Sequence, residues 1–362
     1  MRLARLLGFA LFSVCVNNSS AAEAVWYARI AGIGYSEAVA FRQLTSEWSG
    51  RFSPGDSALQ HLKAETGVEY GKWGLGTFVR DDGEARFKSD TAIFYYLLAN
   101  RQPLEPGRHY AVELDVEHAH SNGIRLFRKF KSGNWATLSL GTSLFHSDRL
   151  ISGTMRGTVA ATGDKDYEFK NLTVDYYYSR DVLFDREVAA PTGLGLAFDI
   201  DLVMTPAPAW TTHLQTENLL GTIFWRSAPF TQARVDTNNK TYDEIGYVHV
   251  QPLLSGRQGD QSYRQRLPLL SDLRIDYAAS ENFAIVGAIN YTPVHTFWSA
   301  GAALLWGNHN NLTALYTIEP SMLTLSARFA YGYISIGTDQ ASAAKAHALT
   351  IATGVTYPLG DF

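Results

Sequence analysis

Cysteine is almost missing from this chain. The single one, Cys15, lies in an N-terminal apolar stretch, so the chain that follows can form no disulfide and has no thiolate for catalysis or metal binding. Basic excess is missing too. The formal charge is −4, and it falls to about −6 once Arg2 and Arg5 are removed with an N-terminal leader; a general nucleic-acid binder needs the opposite sign. The ten histidines form no His-Glu-x-x-His or Cys/His array, and neither a Walker loop nor a dinucleotide fingerprint occurs, so no metal or cofactor is expected. Long apolar runs are scarce. Asn282 to Ile318 has no Asp, Glu, Lys or Arg, but Asn290, Pro293, His295 and Asn308-His309-Asn310-Asn311 interrupt it. Phe283, Ile285, Ile289 and Tyr291 alternate there with Asn282, Ala284, Ala288 and Asn290, which predicts two or three strands rather than a helical hairpin.

The N-terminus carries an export signal. Arg2 and Arg5 precede an apolar core from Leu6 to Val16 that is too short to span a bilayer as a helix, and Ser20-Ala21-Ala22 and Ala22-Glu23-Ala24 offer small residues for cleavage. The leader is therefore residues 1–22, extending to 24 if the second site is used. Val14 stands where a lipoprotein signal requires a small residue, which argues against lipidation of Cys15.

Two-residue periodicity pervades the remainder, 23–362, with no linker or composition shift to divide it. Successive side chains of a strand point to opposite faces. Leu323, Leu325, Ala327, Phe329, Tyr331 and Tyr333 alternate with Thr324, Ser326, Arg328, Ala330 and Gly332. Tyr110, Val112, Leu114 and Val116 do so with His109, Glu113, Asp115 and Glu117, and similar segments cover Leu172–Tyr178, Leu194–Leu202 and Leu273–Tyr277. Turns are predicted at Asp81-Asp82-Gly83, Asn122-Gly123, Gly133-Asn134, Gly163-Asp164, Asn238-Asn239 and Gly256–Gly259. Although 46% of residues are hydrophobic and 13% aromatic, mean hydropathy is only −0.12, because alternation conceals apolar faces in the average. Ser36–Gly67 departs from the pattern: Phe41, Leu44 and Trp48 have helical spacing, and Asp56 or Ser57 could cap a helix through Leu59 and Leu62, predicting a helical loop or plug at 36–66.

Signal, alternation, strand-end aromatics and the terminal Phe362 together resemble a bacterial outer-membrane β-barrel. The resemblance implies an all-β, antiparallel up-and-down transmembrane barrel in the outer membrane, surrounded by lipid and lipopolysaccharide and assembled by the barrel-insertion machinery. A membrane strand needs about 9–11 residues, so the length accommodates about 14–16 strands in a single domain. Pro358–Asp361 breaks the alternation usual before the terminal aromatic. Long-chain fatty-acid transporters of the outer membrane also carry an N-terminal plug, but their Asn-Pro-Ala signature does not occur here.

The expected function is a channel or transporter for small solutes, with Glu113, Asp115, Glu117, Asp175, Asp199, Asp201, Arg156, Arg274 and Arg328 facing the lumen. If the two signs occupy different arcs of the wall, they create a transverse field that orients and filters solutes. The alternatives are a non-conducting structural barrel and a lipid hydrolase. His118-Ala119-His120-Ser121-Asn122-Gly123 resembles the His-x-Ser-Asn motif of outer-membrane phospholipase A and lipid A deacylase, which implies Ser121 activated by His118 or His120. Here the residue two before Ser121 is Ala119, so strand parity separates the serine from both histidines. Finally, Arg125, Arg128, Lys129 and Lys131 form a cluster in which alternation looks broken, predicting a strand end that contacts anionic lipid.

Overall fold

Alternation along the chain becomes a ring of antiparallel strands in which each wall residue faces lumen or exterior. In the computed structural model the described residues are 24–44, 48, 50–237, 240–242, 248–250, 254–307 and 310–360. The leader with Cys15, the Asn238-Asn239 turn, Asn308-His309 and Phe362 lie outside them. The strands are β1 (Ala24–Ser36), β2 (Ser57–Tyr70), β3 (Trp73–Phe87), β4 (His109–Ser132), β5 (Ala136–Ala161), β6 (Tyr167–Tyr178), β7 (Gly193–Ala207), β8 (Trp210–Val235), β9 (Lys240–Tyr242), β10 (Val248–Val250), β11 (Leu254–Arg266), β12 (Leu270–Ser280), β13 (Phe283–Tyr291), β14 (Thr296–Trp306), β15 (Asn310–Thr317), β16 (Met322–Phe329), β17 (Gly332–Thr338) and β18 (Ala348–Pro358), with one helix, α1 (Ser89–Ala99).

Fourteen strands close the barrel. The ring runs from β1 through β5, on through β7 and β8, and then from β12 to β18, which pairs back onto β1 with Val25 opposite Pro358. Closure leaves no strand edge in the ring, the condition for a sheet to survive in hydrocarbon. No helix among the described residues is long and apolar enough to cross a membrane. The outer wall has the banding of a transmembrane barrel: exposed Leu75, Leu126, Leu140, Ile285, Leu325 and Ile351 lie between two aromatic girdles. Trp73, Trp135, Trp210, Trp306 and Tyr357 belong to one girdle, and Tyr291, Trp298 and Tyr316 to the other.

The two ends differ. Both β1 and β18 have their outer termini at the end where connections are tight: Gly71-Lys72 joins β2 to β3, and Gly133 (φ +55°) helps turn β4 into β5. The opposite end carries the long connections 37–56, 88–108 and 179–192. There β4, β5 and β8 outrun the ring and continue as a tall sheet with β6 and β11. β6 takes over from β7 between β5 and β8, and β11 from β12, pairing only with β8. The tall sheet's outer face, with Tyr110, Val112, Val159 and Leu172, is covered by Phe94 of α1. In the 179–192 crossing, burial acts to raise the Asp181 carboxyl. It is nevertheless held below its usual range, because the Tyr176 hydroxyl and the Leu183 and Phe184 N–H groups donate to it.

Several local expectations give way to the ring. Leu323–Tyr333 is two strands, because Ala330-Tyr331 forms the turn between β16 and β17. Residues 57–66 are strand rather than helix: Leu59 packs inward with Tyr35 and Phe297 while Leu62 faces out. Among the described residues of the predicted helical loop, the helical element is a 3-10 turn, Phe41–Gln43. Asp81-Asp82-Gly83, Asn122-Gly123 and Gly256–Gly259 lie inside strands. At Gly123 a side chain is excluded by close approach instead of by a turn, since a Cβ there would sit 2.2 Å from the Leu144 carbonyl oxygen. The predicted turns Gly133-Asn134 and Gly163-Asp164 are turns, and Asn282–Ile318 holds the three strands β13, β14 and β15.

Inside the ring Phe145 packs against the backbone of Gly195, where a Cβ would lie 1.9 Å from Cε2 of the ring, whereas a Cβ at Gly287 meets nothing within 4 Å. Gly195→Val is expected to lower stability by about 1–3 kcal/mol or to block assembly, and Gly287→Ala to leave it unchanged. Urea midpoints and heat-modifiable gel mobility in detergent would measure both.

Candidate functional site in the lumen

Strand β2 supplies the core of the site. Its outward residues, Leu62, Ala64 and Val68, are apolar or small, so His61, Lys63 and Glu65 must point into the lumen, where all three are buried. Burying these charges is tolerable only because each has partners. Glu65 accepts from Arg29 Nη2 at 2.8 Å and from the Tyr27 hydroxyl at 2.8 Å, with Arg125 Nη1 at 3.5 Å. Arg125 Nε donates to Asp199 at 2.9 Å. Lys63 Nζ reaches Glu217 of β8 at 2.9 Å, a bridge between strands that are far apart around the ring. His61 Nδ1 lies 2.5 Å from Asp82, which also pairs with Arg80 Nε at 3.1 Å; Arg80 Nη1 donates to Asn218 of β8 at 2.5 Å. These bonds stretch side chains across the lumen at mid-height.

An aromatic layer lies beside this net. Phe78, Phe145 and Trp225 pack with Leu150 and Ile223, and the Arg80 guanidinium stands 4.5 Å from the Phe145 ring centroid. On the long-loop side Glu117 accepts from Ser152 Oγ at 2.6 Å and from Gln265 Nε2 at 2.9 Å. Toward the tight-turn end the lumen opens into a vestibule of about 1100 Å³. A second hollow of about 920 Å³ lies among the long loops, lined by Glu37, Arg51, Glu319 and Lys345.

The charge distribution around the ring is uneven. Strands β1 to β4 contribute Arg29, Lys63, Arg80, Arg125, Lys129 and Lys131, whereas β7, β8 and β12 contribute Asp199, Asp201, Glu217, Asp272 and Asp276. Strands β1 to β4 also contribute Glu65, Glu69, Asp82, Glu84, Glu113, Asp115 and Glu117, so that arc is mixed, and Arg274 stands on the acidic arc. From β13 to β18 the inner wall is mainly small or hydroxylic, with Ala288, Ser299, Gly301, Thr313 and Ser326 beside the larger Val286, Phe297 and Met322, and Arg328 is its cation. The acidic wall of β7, β8 and β12 therefore faces a wall in which charges of both signs are paired with one another.

The nine residues expected in the lumen do not form one site. Asp199 belongs to the central net. Asp201, 3.3 Å from His213, and Arg328 line the vestibule. Arg274 folds back onto Asp276 of its own strand at 2.6 Å. Glu113, Asp115, Glu117, Asp175 and Arg156 share the polar face of the tall sheet: Asp115 and Arg156 pair at 2.6 Å, Glu113 pairs with Lys88, and Asp175 accepts from Gln232 at 3.0 Å. Lys63, Glu65, Arg80 and Asp82 went unread because their segments looked like a helical loop and a turn. Glu217 had a legible signal, the polar series Thr211, His213, Gln215 and Glu217 along β8.

Two further expectations are corrected. The alternation from Arg125 to Lys131 holds: Arg125, Phe127, Lys129 and Lys131 face inward, so three of the four cations cannot meet lipid. Phe127, lying inward beneath Arg125 at 4.7 Å, hid the pattern. Arg128 alone points outward, flanked by Trp73 and Phe130 at 5.0 Å each. The hydrolase pair is not assembled. Ser121 is buried inside with its Oγ 2.6 Å from Ser147 Oγ, whereas His118 and His120 sit on the opposite face, 3.0 and 3.2 Å from the Asp81 carboxylate.

No protein-family model matches the chain, and no curated protein matches it either. Among solved structures, similar barrels include a deltaS2S3 mutant of the monoaromatic hydrocarbon channel TodX (10% identity, 93% of this chain and 90% of that chain, TM-score 0.45). The P. putida toluene transporter TodX follows (10%, 94% and 89%, TM-score 0.40), with a Pseudomonas aeruginosa FadL homologue (9%, 92% and 89%, TM-score 0.39). Similarity at this level says nothing about cargo.

Removing one member of the central net strands its partners. Arg125→Ala leaves Asp199 without its cation and weakens the shell around Glu65, so it is expected to cost about 3–5 kcal/mol. Arg128→Ala removes only exposed cation–π contacts and should cost about 1 kcal/mol or less. Equal urea midpoints for the two variants would contradict this assignment of faces.

Proposed function

We propose that this chain is an outer-membrane transporter for small solutes, with a path through the lumen that is closed in this conformation by the charged net. The observation that carries the reading is the Lys63–Glu217 bridge, which crosses the lumen from β2 to β8. The vestibule and the second hollow accompany it. In barrels of this type the short turns face the periplasm and the long loops the exterior, so the vestibule is the periplasmic mouth.

Salt-bridged side chains suit a gate better than a packed apolar plug does. A cross-lumen ion pair has a second stable arrangement, in which each charge is hydrated or paired on its own wall, and exchange between the two needs no backbone movement. The small residues lining β13 to β18 leave room on the side of the lumen to which the net contributes least. This reading gives the inner charges a task that a purely structural barrel does not need, and it requires no activated serine.

Planar-bilayer recording tests the proposal. Wild type is expected to conduct weakly or intermittently, and Lys63→Ala/Glu217→Ala, which removes both ends of the bridge, to raise conductance several-fold. Absence of current and of liposome swelling in both proteins would overturn it. Ser121→Ala should leave lipid turnover unchanged.

A further inference from the structure

The vestibule holds six cations, and three of them are already committed. Arg29 is paired with Glu65, Arg125 with Asp199, and Lys129 with Glu69 at 2.5 Å. The side chains of Lys72, Lys131 and Arg328 line the same space and make no hydrogen bond or ion pair with any described residue. Of the acids there, Glu69 and Asp201 have partners in Lys129 and His213, leaving Glu281 as the uncommitted acid. Lys131 and Arg328 stand on β4 and β16, on nearly opposite sides of the ring, with Lys72 in the turn between β2 and β3.

We infer that the periplasmic vestibule is a binding site for small anions bearing a carboxylate or phosphate group. A recessed mouth that gathers cations raises the local concentration of oppositely charged solutes, even though these three side chains are themselves exposed. A cavity of about 1100 Å³ accommodates a small organic anion together with part of its hydration shell. Arg328 offers a planar fork suited to bidentate oxyanion contact, while the two lysines act as adjustable point charges. The site is inside the ring, so its ligand is a solute and not a lipid headgroup of the surrounding leaflet.

The inference deepens the transport reading by naming a class of cargo and rests on that reading for its biological use, but binding itself needs no transport. Calorimetric titration of the full chain in zwitterionic detergent, with inorganic phosphate, succinate and sucrose as separate probes, tests it. Saturable binding of phosphate or succinate is expected, weakening as sodium chloride rises, with no binding of sucrose. The relative strength of the first two distinguishes phosphate-bearing from carboxylate-bearing ligands. Lys131→Gln/Arg328→Gln should weaken anion binding about tenfold or more, Lys131→Arg should retain it, and Arg128→Gln on the outer wall should not change it. Heat-modifiable mobility would confirm that each variant remains a folded barrel. Absence of saturable anion binding, or equal binding by wild type and the double variant, would overturn the inference. Intact binding without conductance would instead count against the gated path.

Discussion

Pairing of β18 with β1 is the constraint on which the rest of this structure depends. A sheet in hydrocarbon cannot leave a row of backbone N–H and C=O groups open, so the ring must close. Once it does, each wall residue has two possible destinations, lipid or lumen, and the two-residue period assigns them alternately. The apolar exterior thereby forces an interior rich in charge, and the mutual pairing of those charges follows from the cost of burying them alone. The net around Glu65 is in this sense a consequence of Leu62, Ala64 and Val68 facing out.

Filling the lumen from only part of the wall has its own effect. Strands β1 to β8 and β12 send long charged and aromatic side chains inward, whereas β13 to β18 present mainly small and hydroxylic ones. The interior is therefore lopsided, dense on one side and lightly furnished on the other. The dense side joins the tall sheet above it, so the most extensively paired part of the wall also carries most of the interior chemistry.

Much of the architecture was legible in the sequence because alternation is a strong local signal when one face meets lipid. Strand class, a ring of about 14–16 strands and two or three strands within Asn282–Ile318 all follow from it. Turns were less legible. Asp81-Asp82-Gly83 has turn chemistry, yet long-range pairing of β3 with β2 and β4 overrides it, and the charges that looked like turn residues are lumen residues. The 57–66 segment reads as helical because Leu59, inward among the charged residues, and Leu62, outward, stand three apart and break the alternation. Arg125 was misplaced because inward Phe127 broke the simple rule that apolar means out. Pairings such as Lys63 with Glu217 depend on which strands face each other across the ring, and no local pattern records that.

The way β11 is paired has a consequence for where the bilayer ends. It bonds to β8 along one edge, and its other edge has no partner among the described strands. Such an edge is tolerable in water, where solvent satisfies its backbone and residues such as Arg257, Asp260 and Arg266 discourage a second chain from adding on. It is not tolerable in hydrocarbon. The lower end of β11, where Arg266 lies opposite Thr222, thus sets a ceiling for the acyl chains. Following the register across β7 and β5 from Thr222 leads through Leu196 to Leu144 and Ile124, and one outward position higher the wall mixes His146 and Asn122 with exposed apolar Phe224, Leu194 and Val79. The side chains therefore change gradually where the backbone limit is sharp.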